Sequence, residues 1–150
     1  MTSILSVEEI IEKLNSLKKN SSPRWGEMSS SQMMKHCSSF IDLYLGKIKV
    51  PFWYKFFGTT IGKVFLLYIS KKSPLETPRN IRTEKSIKII DGNLDFDYEK
   101  KLLIEKLNKL HKIKGQINHP IYGIMKSEKI LFLIKHHTIH HLNQFNVMKG

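Results

Sequence analysis

The sequence predicts an all-α fold in one domain that spans residues 1–150. Two serine-initiated capping boxes each precede apolar residues at intervals of three and four, a pattern typical of amphipathic helices. No two segments show the alternation of apolar and polar residues that a convincing strand pair needs. The length of 150 residues suits one ordinary domain with a real core. We therefore expect the helices to pack together as a bundle.

The first two helices have the clearest boundaries. A capping box at 6–9 opens a helix that is expected to end near Lys19, before a run of breaker residues. A second capping box, at 29–32, opens a helix that is expected to stop at Gly46. That second helix carries an apolar stripe of Met33, Cys37, Phe40, Ile41 and Tyr44.

The middle of the chain has weaker patterns. The most apolar stretch runs from Pro51 to Ser70, and 52–69 within it predicts a helix that Gly58 and Gly62 weaken. Lysines interrupt this stretch, so we expect a buried or membrane-touching helix rather than one that crosses a membrane. Residues 71–93 contain two prolines, an Asp-Gly pair and no periodicity. They indicate a long connection of the kind that is often functional or mobile.

Two further helices are predicted in the second half of the chain. The leucines of 94–112 return to helical spacing. A turn follows through Gly115 and the run 119–123. The last helix is expected to extend from Glu128 to about Asn146.

The composition is basic, with 25 Lys+Arg against 13 Asp+Glu and a formal net charge of +12. Few of these cations are arginine, the residue favoured for base reading and phosphate clamping, and the lysines are scattered. We therefore expect no nucleic-acid partner, and at most weak association with an anionic membrane or an acidic partner. The single cysteine excludes an intramolecular disulfide, and the first residues lack a secretory-signal pattern. These features predict a cytoplasmic protein.

The last predicted helix carries the residues most informative about function. His137 and His141 are four residues apart, so they share one helical face. At about 100° per residue they fall in the middle of that helix's apolar stripe. His136 and His140 fall on its flank, where we do not expect ligands.

Two buried histidines one turn apart need partners, because burying an unpaired imidazole is unfavourable. A shared divalent metal would satisfy both; the alternative is two core histidines hydrogen-bonded to backbone, water or Gln144. His36 is the natural third ligand, since it lies at the edge of the apolar stripe of its helix. Three histidines would leave positions open for water or substrate, as catalytic metal sites do. Imidazole ligands suit zinc or nickel, and also iron, copper or cobalt.

Four motifs occur in order along most of the chain, at 23–26, 32–37, 119–123 and 137–145. The HxxxH…Q pattern of the last one resembles the signature of the DinB/YfiT-like superfamily. The other three are similar to one branch of that superfamily, a domain of unknown function (DUF1569). The resemblance implies a four-helix bundle, often a homodimer, with a divalent metal on His36, His137 and His141. Some superfamily members are metal-dependent transferases or isomerases that use a low-molecular-weight thiol, which the metal would hold as a thiolate.

Three more residues are candidates for contacting a substrate or cofactor. His119 precedes a proline and could line the pocket mouth or orient a ligand, or be a plain turn residue. Trp25 is expected to anchor packing or to close the pocket. Gln144 is expected to bond a metal-bound water. Cys37 lies on the core stripe and is expected to be a buried thiol rather than a nucleophile.

Three functions compete at this point. The first is a metal-dependent transferase or hydrolase that acts on a small molecule, with no catalytic residue assigned because carboxylates near the histidines are few. The alternative is a non-enzymatic basic interaction module that binds an anionic membrane surface or an acidic partner. The third is a bundle whose metal is purely structural.

Overall fold

The computed structural model describes residues 4–83 and 85–148. Within these residues the chain forms five helical segments and one two-stranded antiparallel sheet. The prediction of an all-α four-helix bundle is therefore wrong. Strand β1, Gln116–His119, pairs with β2, Gly123–Lys126, in the register Gln116↔Lys126 to His119↔Gly123. Strands of four residues are too short to show the alternation that sequence analysis depends on.

The two capping boxes form as predicted. Helix α1 is Val7–Ser16, and the Ser6 N–H donates to the Glu9 carboxylate over 2.7 Å while Glu9 N–H donates to Ser6 Oγ. Helix α2 is Ser30–Tyr44, with the same reciprocal bonds between Ser29 and Gln32. These bonds satisfy backbone donors that a helix start otherwise leaves unpaired.

The continuous helix 52–70 is the least regular one. It comprises α3 (Phe52–Phe57), a π turn (Gly58–Gly62) and α4 (Lys63–Ser70). We call this helix, with its π turn, the apolar helix. No helix within the described residues is both long enough and apolar enough to cross a membrane.

Helices α5, Phe96–Asn108, and α6, Ser127–Gln144, complete the fold. The Asp95 carboxylate caps α5 by accepting from the Tyr98 N–H, and α6 starts directly from β2. Helices α1, α2, α5 and α6 share one core. Its fully buried side chains include Ile10, Leu14, Met33, Met34, Leu103, Leu107, Ile130, Ile134 and Leu142.

The connection 71–93 is held against the helices and contains two short 3₁₀ turns, Pro74–Glu76 and Lys85–Ile87. Its backbone carbonyls at Lys72 and Pro74 contact ring nitrogens of α6 over 3.0 and 3.3 Å. Near its other end, the Asp91 carbonyl accepts a bond from the Gln32 amide of α2. These bonds fix the connection beside the histidine-bearing faces of α2 and α6.

Candidate metal centre

Three histidines meet where α2 crosses α6. His36 comes from α2, and His137 and His141 come from successive turns of α6. The Nε2 atom of His137 lies 3.1 Å from that of His36 and 3.2 Å from that of His141. One candidate ligand atom from each ring lies within 4.8 Å of the others. This grouping could hold a metal ion, and it consists of the three residues that the sequence analysis selected.

Hydrogen bonds on the far side of two of the rings determine where their protons lie. His36 Nδ1 lies 3.2 Å from the Ile87 carbonyl, which can only accept, so Nδ1 carries the proton. Gln144 Nε2 donates to the Trp25 carbonyl over 2.7 Å, which orients the amide so that its oxygen faces His141 Nδ1, also at 2.7 Å. His141 Nδ1 therefore carries the proton as well. Both rings then present an Nε2 lone pair to the centre of the group.

His137 is the third member of the group, and its hydrogen bonds do not satisfy all of the ring nitrogens. Its Nδ1 is buried and, within 4–83 and 85–148, makes no hydrogen bond. The Phe40 ring stacks on it at a centroid distance of 3.7 Å and an interplanar angle of 8°, which fixes its orientation. A single proton on His137 Nε2 cannot be donated fully to two lone pairs at once. A divalent cation would accept all three lone pairs, so the residues present fit a metal.

Burial keeps these rings in the neutral form that a metal requires. It lowers the pKa of His36 below the usual value, although the bond to the Ile87 carbonyl opposes the shift. Burial also holds the pKa of His137 and His141 well below the usual value, and the neighbouring histidines lower both further. Neutral imidazoles bind metal without first losing a proton.

The other two histidines of α6 lie beside this group and line the same cavity, and the ring centroid of His140 is 5.2 Å from that of His141. His136 Nε2 bonds to the Lys72 carbonyl, and His140 Nδ1 bonds to the Pro74 carbonyl. Both therefore anchor the connection 71–93 to α6. Neither belongs to the group of candidate ligands, but His136 is buried rather than on an exposed flank.

An open cavity of about 1210 Å³ lies over the three histidines. One part of its wall is apolar and is built from α2, α4 and α6 by Phe40, Leu43, Phe65, Leu66, Ile69 and Leu133. The connection contributes the cations Arg82, Lys85 and Lys88, whereas Glu27 is the single acidic residue among the lining residues that the structure describes. Trp25 and Gln144 line the cavity as well. Gln144 uses both ends of its amide within the protein, so its visible role is to orient His141.

The chain was compared with known families, curated proteins and solved structures. Residues 3–148 match a family described as a protein of unknown function (DUF1569). The chain belongs to this family. Neither the curated proteins nor the solved structures contain a significant match. The DUF1569 family named by the resemblance is thus confirmed, whereas nothing in these comparisons confirms the DinB/YfiT-like superfamily. The matched family carries no assigned activity.

His119 is the last residue of β1, directly before the hairpin turn, and is completely buried, away from the cavity lining. Its Nδ1 accepts the N–H groups of Ile121 and Tyr122 at 3.0 and 3.2 Å, so the ring proton is on Nε2. Its ring packs edge-on against Tyr44 at a centroid distance of 4.4 Å. His119 therefore stabilises the hairpin turn from the end of β1, and burial lowers the pKa of His119 to about 4.

We expect His119→Asn to remove a pH dependence of stability. The Asn side-chain oxygen can accept the same two N–H groups, but it does not titrate. As pH falls from 6.5 towards 4, the unfolded wild type gains a proton that the folded wild type cannot bind. Wild type should therefore lose about 3 kcal/mol relative to the variant over this range. Urea unfolding of both metal-free proteins measures the gap, and a gap that is constant with pH would contradict the assignment.

Two residues that position the site, Ile87 and Phe40, were not predicted from the sequence to do so. The Ile87 carbonyl holds His36, and a backbone acceptor in a long connection leaves no sequence signal. Phe40, which stacks on His137, could have been recognised from the sequence. It follows His36 by four residues on the same face of α2, a spacing that places the two side chains side by side.

Proposed function

We propose that this protein is a divalent-metal-dependent enzyme, a transferase or hydrolase, that acts on a small molecule held in the cavity over His36, His137 and His141. The observation that carries the proposal is the convergence of three Nε2 atoms, two of which have lone pairs fixed by hydrogen bonds on the opposite ring nitrogen. The resemblance of the α6 pattern to the DinB/YfiT-like superfamily, with its metal-dependent transferases, supports the same conclusion.

A metal at this position would supply Lewis-acid chemistry and lower the pKa of a bound water or thiol. The protein's own contribution is to hold three neutral imidazoles in fixed orientations. Ile87 and Gln144 orient two of the rings by hydrogen bonds, and Phe40 orients the third by stacking. His137 is partly exposed and lines the cavity, which leaves room for a substrate beside the three rings.

The nucleophile is proposed to come from outside the chain. Cys37 is buried, and burial raises the pKa of its thiol far above the usual value, so this residue cannot supply a thiolate. The described cavity lining offers one carboxylate, Glu27, which is exposed. Water or a low-molecular-weight thiol is the remaining source, in keeping with the thiol cofactor that the resemblance implies.

The cavity lining indicates the kind of substrate. Cations at Arg82, Lys85 and Lys88 favour a negatively charged molecule, and the wall formed by α2, α4 and α6 favours an apolar portion. We therefore propose a small anionic substrate with an apolar part. Screens should begin with thiol transfer to, and hydrolysis of, molecules of this class.

Metal titration of the chelator-stripped protein tests the proposal. Zinc or nickel should bind at roughly one ion per chain, as three imidazoles predict. At a concentration about 100 times Kd, the bound ion should raise Tm by roughly 5–10 °C. Magnesium is the matched control, because it prefers oxygen ligands and should shift Tm little. Failure of zinc, nickel, iron and cobalt to bind would overturn the metal site. Stoichiometric binding without turnover in either screen would overturn the enzyme and leave a structural metal.

A further inference from the structure

The apolar helix exposes far more apolar surface than any other helix among the described residues. Six of its apolar side chains are more than half exposed: Phe52, Phe56, Phe57, Ile61, Val64 and Leu67. Its contacts with the rest of the protein run mainly through Gly58, Leu66 and Ile69, which are buried. Scattered exposed apolar residues are ordinary, but a contiguous surface of this kind marks an interaction site.

The charged residues of the apolar helix and of the segments that flank it are all basic. Between Asp42 and Glu76 the sequence contains no acidic residue, and it contains six lysines: Lys47, Lys49, Lys55, Lys63, Lys71 and Lys72. All six are exposed. The apolar surface therefore lies within a wholly basic part of the chain, which selects a partner that is both apolar and anionic.

Aromatic residues on the same helix indicate which kind of apolar and anionic partner it binds. Trp53 and Tyr68, near opposite ends of the helix, are each 48% exposed. Trp and Tyr concentrate where a bilayer meets water, because their rings are apolar and their N–H or O–H is polar. Helices that lie in this interface combine lysines with exposed Trp, Phe and Leu, as this one does.

We propose that the apolar helix docks on the surface of an anionic lipid bilayer and lies in its plane. The six lysines would face the lipid phosphates while the exposed Phe, Ile, Val and Leu side chains enter the boundary between headgroups and acyl chains. A second copy of this chain fits the surface less well. A two-fold symmetric contact would bring the same lysines against each other without an acidic residue in the segment to offset them. This proposal is independent of the metal centre.

Vesicle sedimentation tests the docking. Wild type should bind vesicles that contain phosphatidylglycerol and should bind phosphatidylcholine vesicles at least about tenfold more weakly. About 0.5 M salt should weaken the anionic binding to a similar degree, because it screens the lysines. Absence of binding to the anionic vesicles, or equal binding to both kinds, would overturn the proposal.

Paired variants distinguish binding through the apolar helix from nonspecific hydrophobic adsorption. Phe56→Ser/Ile61→Ser should lower binding to anionic vesicles roughly tenfold or more, since both side chains are exposed and support no core. The control Ile90→Ser/Tyr98→Ser removes side chains of similar exposure elsewhere and should bind like wild type. Lys55→Gln/Lys63→Gln should weaken binding to anionic vesicles. Lys109→Gln/Lys112→Gln removes the same charge from exposed positions outside the apolar helix and should weaken binding by a smaller factor. Unchanged circular dichroism and an unchanged Tm would show that each variant is folded.

Two results would contradict the bilayer as partner. One is equal binding by the Phe56→Ser/Ile61→Ser variant and its control. The other is a wild-type dimer in analytical ultracentrifugation that resists salt and is dissolved by Phe56→Ser/Ile61→Ser, because it would show that a second copy covers this helix.

Discussion

His137→Leu should abolish stoichiometric metal binding while leaving the metal-free fold intact. Losing the central ligand should reduce affinity by more than the 10–100-fold typical of losing a ligand's hydrogen-bond partner. Leucine retains apolar bulk against Phe40, and it removes a buried Nδ1 that makes no hydrogen bond within the described residues. The substitution also leaves Nε2 of His36 and of His141 without their contact to His137. The free energy of unfolding of the metal-free protein should therefore fall by about 1–3 kcal/mol, which the fold can tolerate.

Elemental mass spectrometry and thermal unfolding with and without zinc measure both parts of this prediction. His111→Leu is the matched control, because His111 is exposed and its Nδ1 bonds to the Asn108 carbonyl of the same helical turn. It should retain the metal and its stabilising effect. A His137→Leu protein that still binds one zinc ion as tightly as the control would contradict the assigned ligand set.

Gly58→Ala should destabilise the protein by roughly 2–3 kcal/mol, the range expected for overpacking. A Cβ at this position would lie 2.2 Å from the Ile121 carbonyl oxygen and 2.5 Å from Ile121 Cγ2, so the backbone must move. Alanine is the better helix former by about 1 kcal/mol, so the clash must outweigh a favourable change in propensity. The expected fall in Tm is roughly 5–10 °C for a domain of this size.

Two other glycines provide a graded comparison by urea unfolding. At Gly62 an added Cβ would meet the Tyr122 ring at 2.8 Å, and a side chain can give way more easily than a backbone. At Gly92 it would meet nothing within 4 Å, so Gly92→Ala should be close to neutral. If Gly58→Ala is as stable as Gly92→Ala, the apolar helix does not pack on the hairpin turn as described.

The packing of the apolar helix on the hairpin turn also helps to shape the cavity. Phe65, Leu66 and Ile69 of the apolar helix form part of the cavity wall, and the helix is held against the hairpin turn at Gly58 and Gly62. Displacing the helix should therefore alter the volume of the cavity without touching the three histidines. Gly58→Ala should retain metal while losing stability, in contrast to His137→Leu.

Local patterns in the sequence determined where the first two helices begin and which histidines of α6 form the candidate metal centre. A capping box is complete within four residues, so Ser6 with Glu9 and Ser29 with Gln32 could be recognised without the fold. Helical spacing likewise separated His137 and His141, which meet His36, from His136 and His140. Both inferences need only helix geometry, which local sequence specifies.

The tertiary structure decided the rest, because it depends on contacts between distant parts of the chain. The hairpin formed by β1 and β2 needs only four residues a strand, and pairing across the turn, rather than any internal pattern, specifies it. The orientation of His36 depends on a carbonyl 51 residues away. The sequence predicted apolar character for 52–70, but only packing showed that Gly58, Leu66 and Ile69 turn inward while most of the other apolar side chains face solvent. Hydrophobicity indicates that a side chain gains by leaving water, whereas the neighbouring elements determine whether it does.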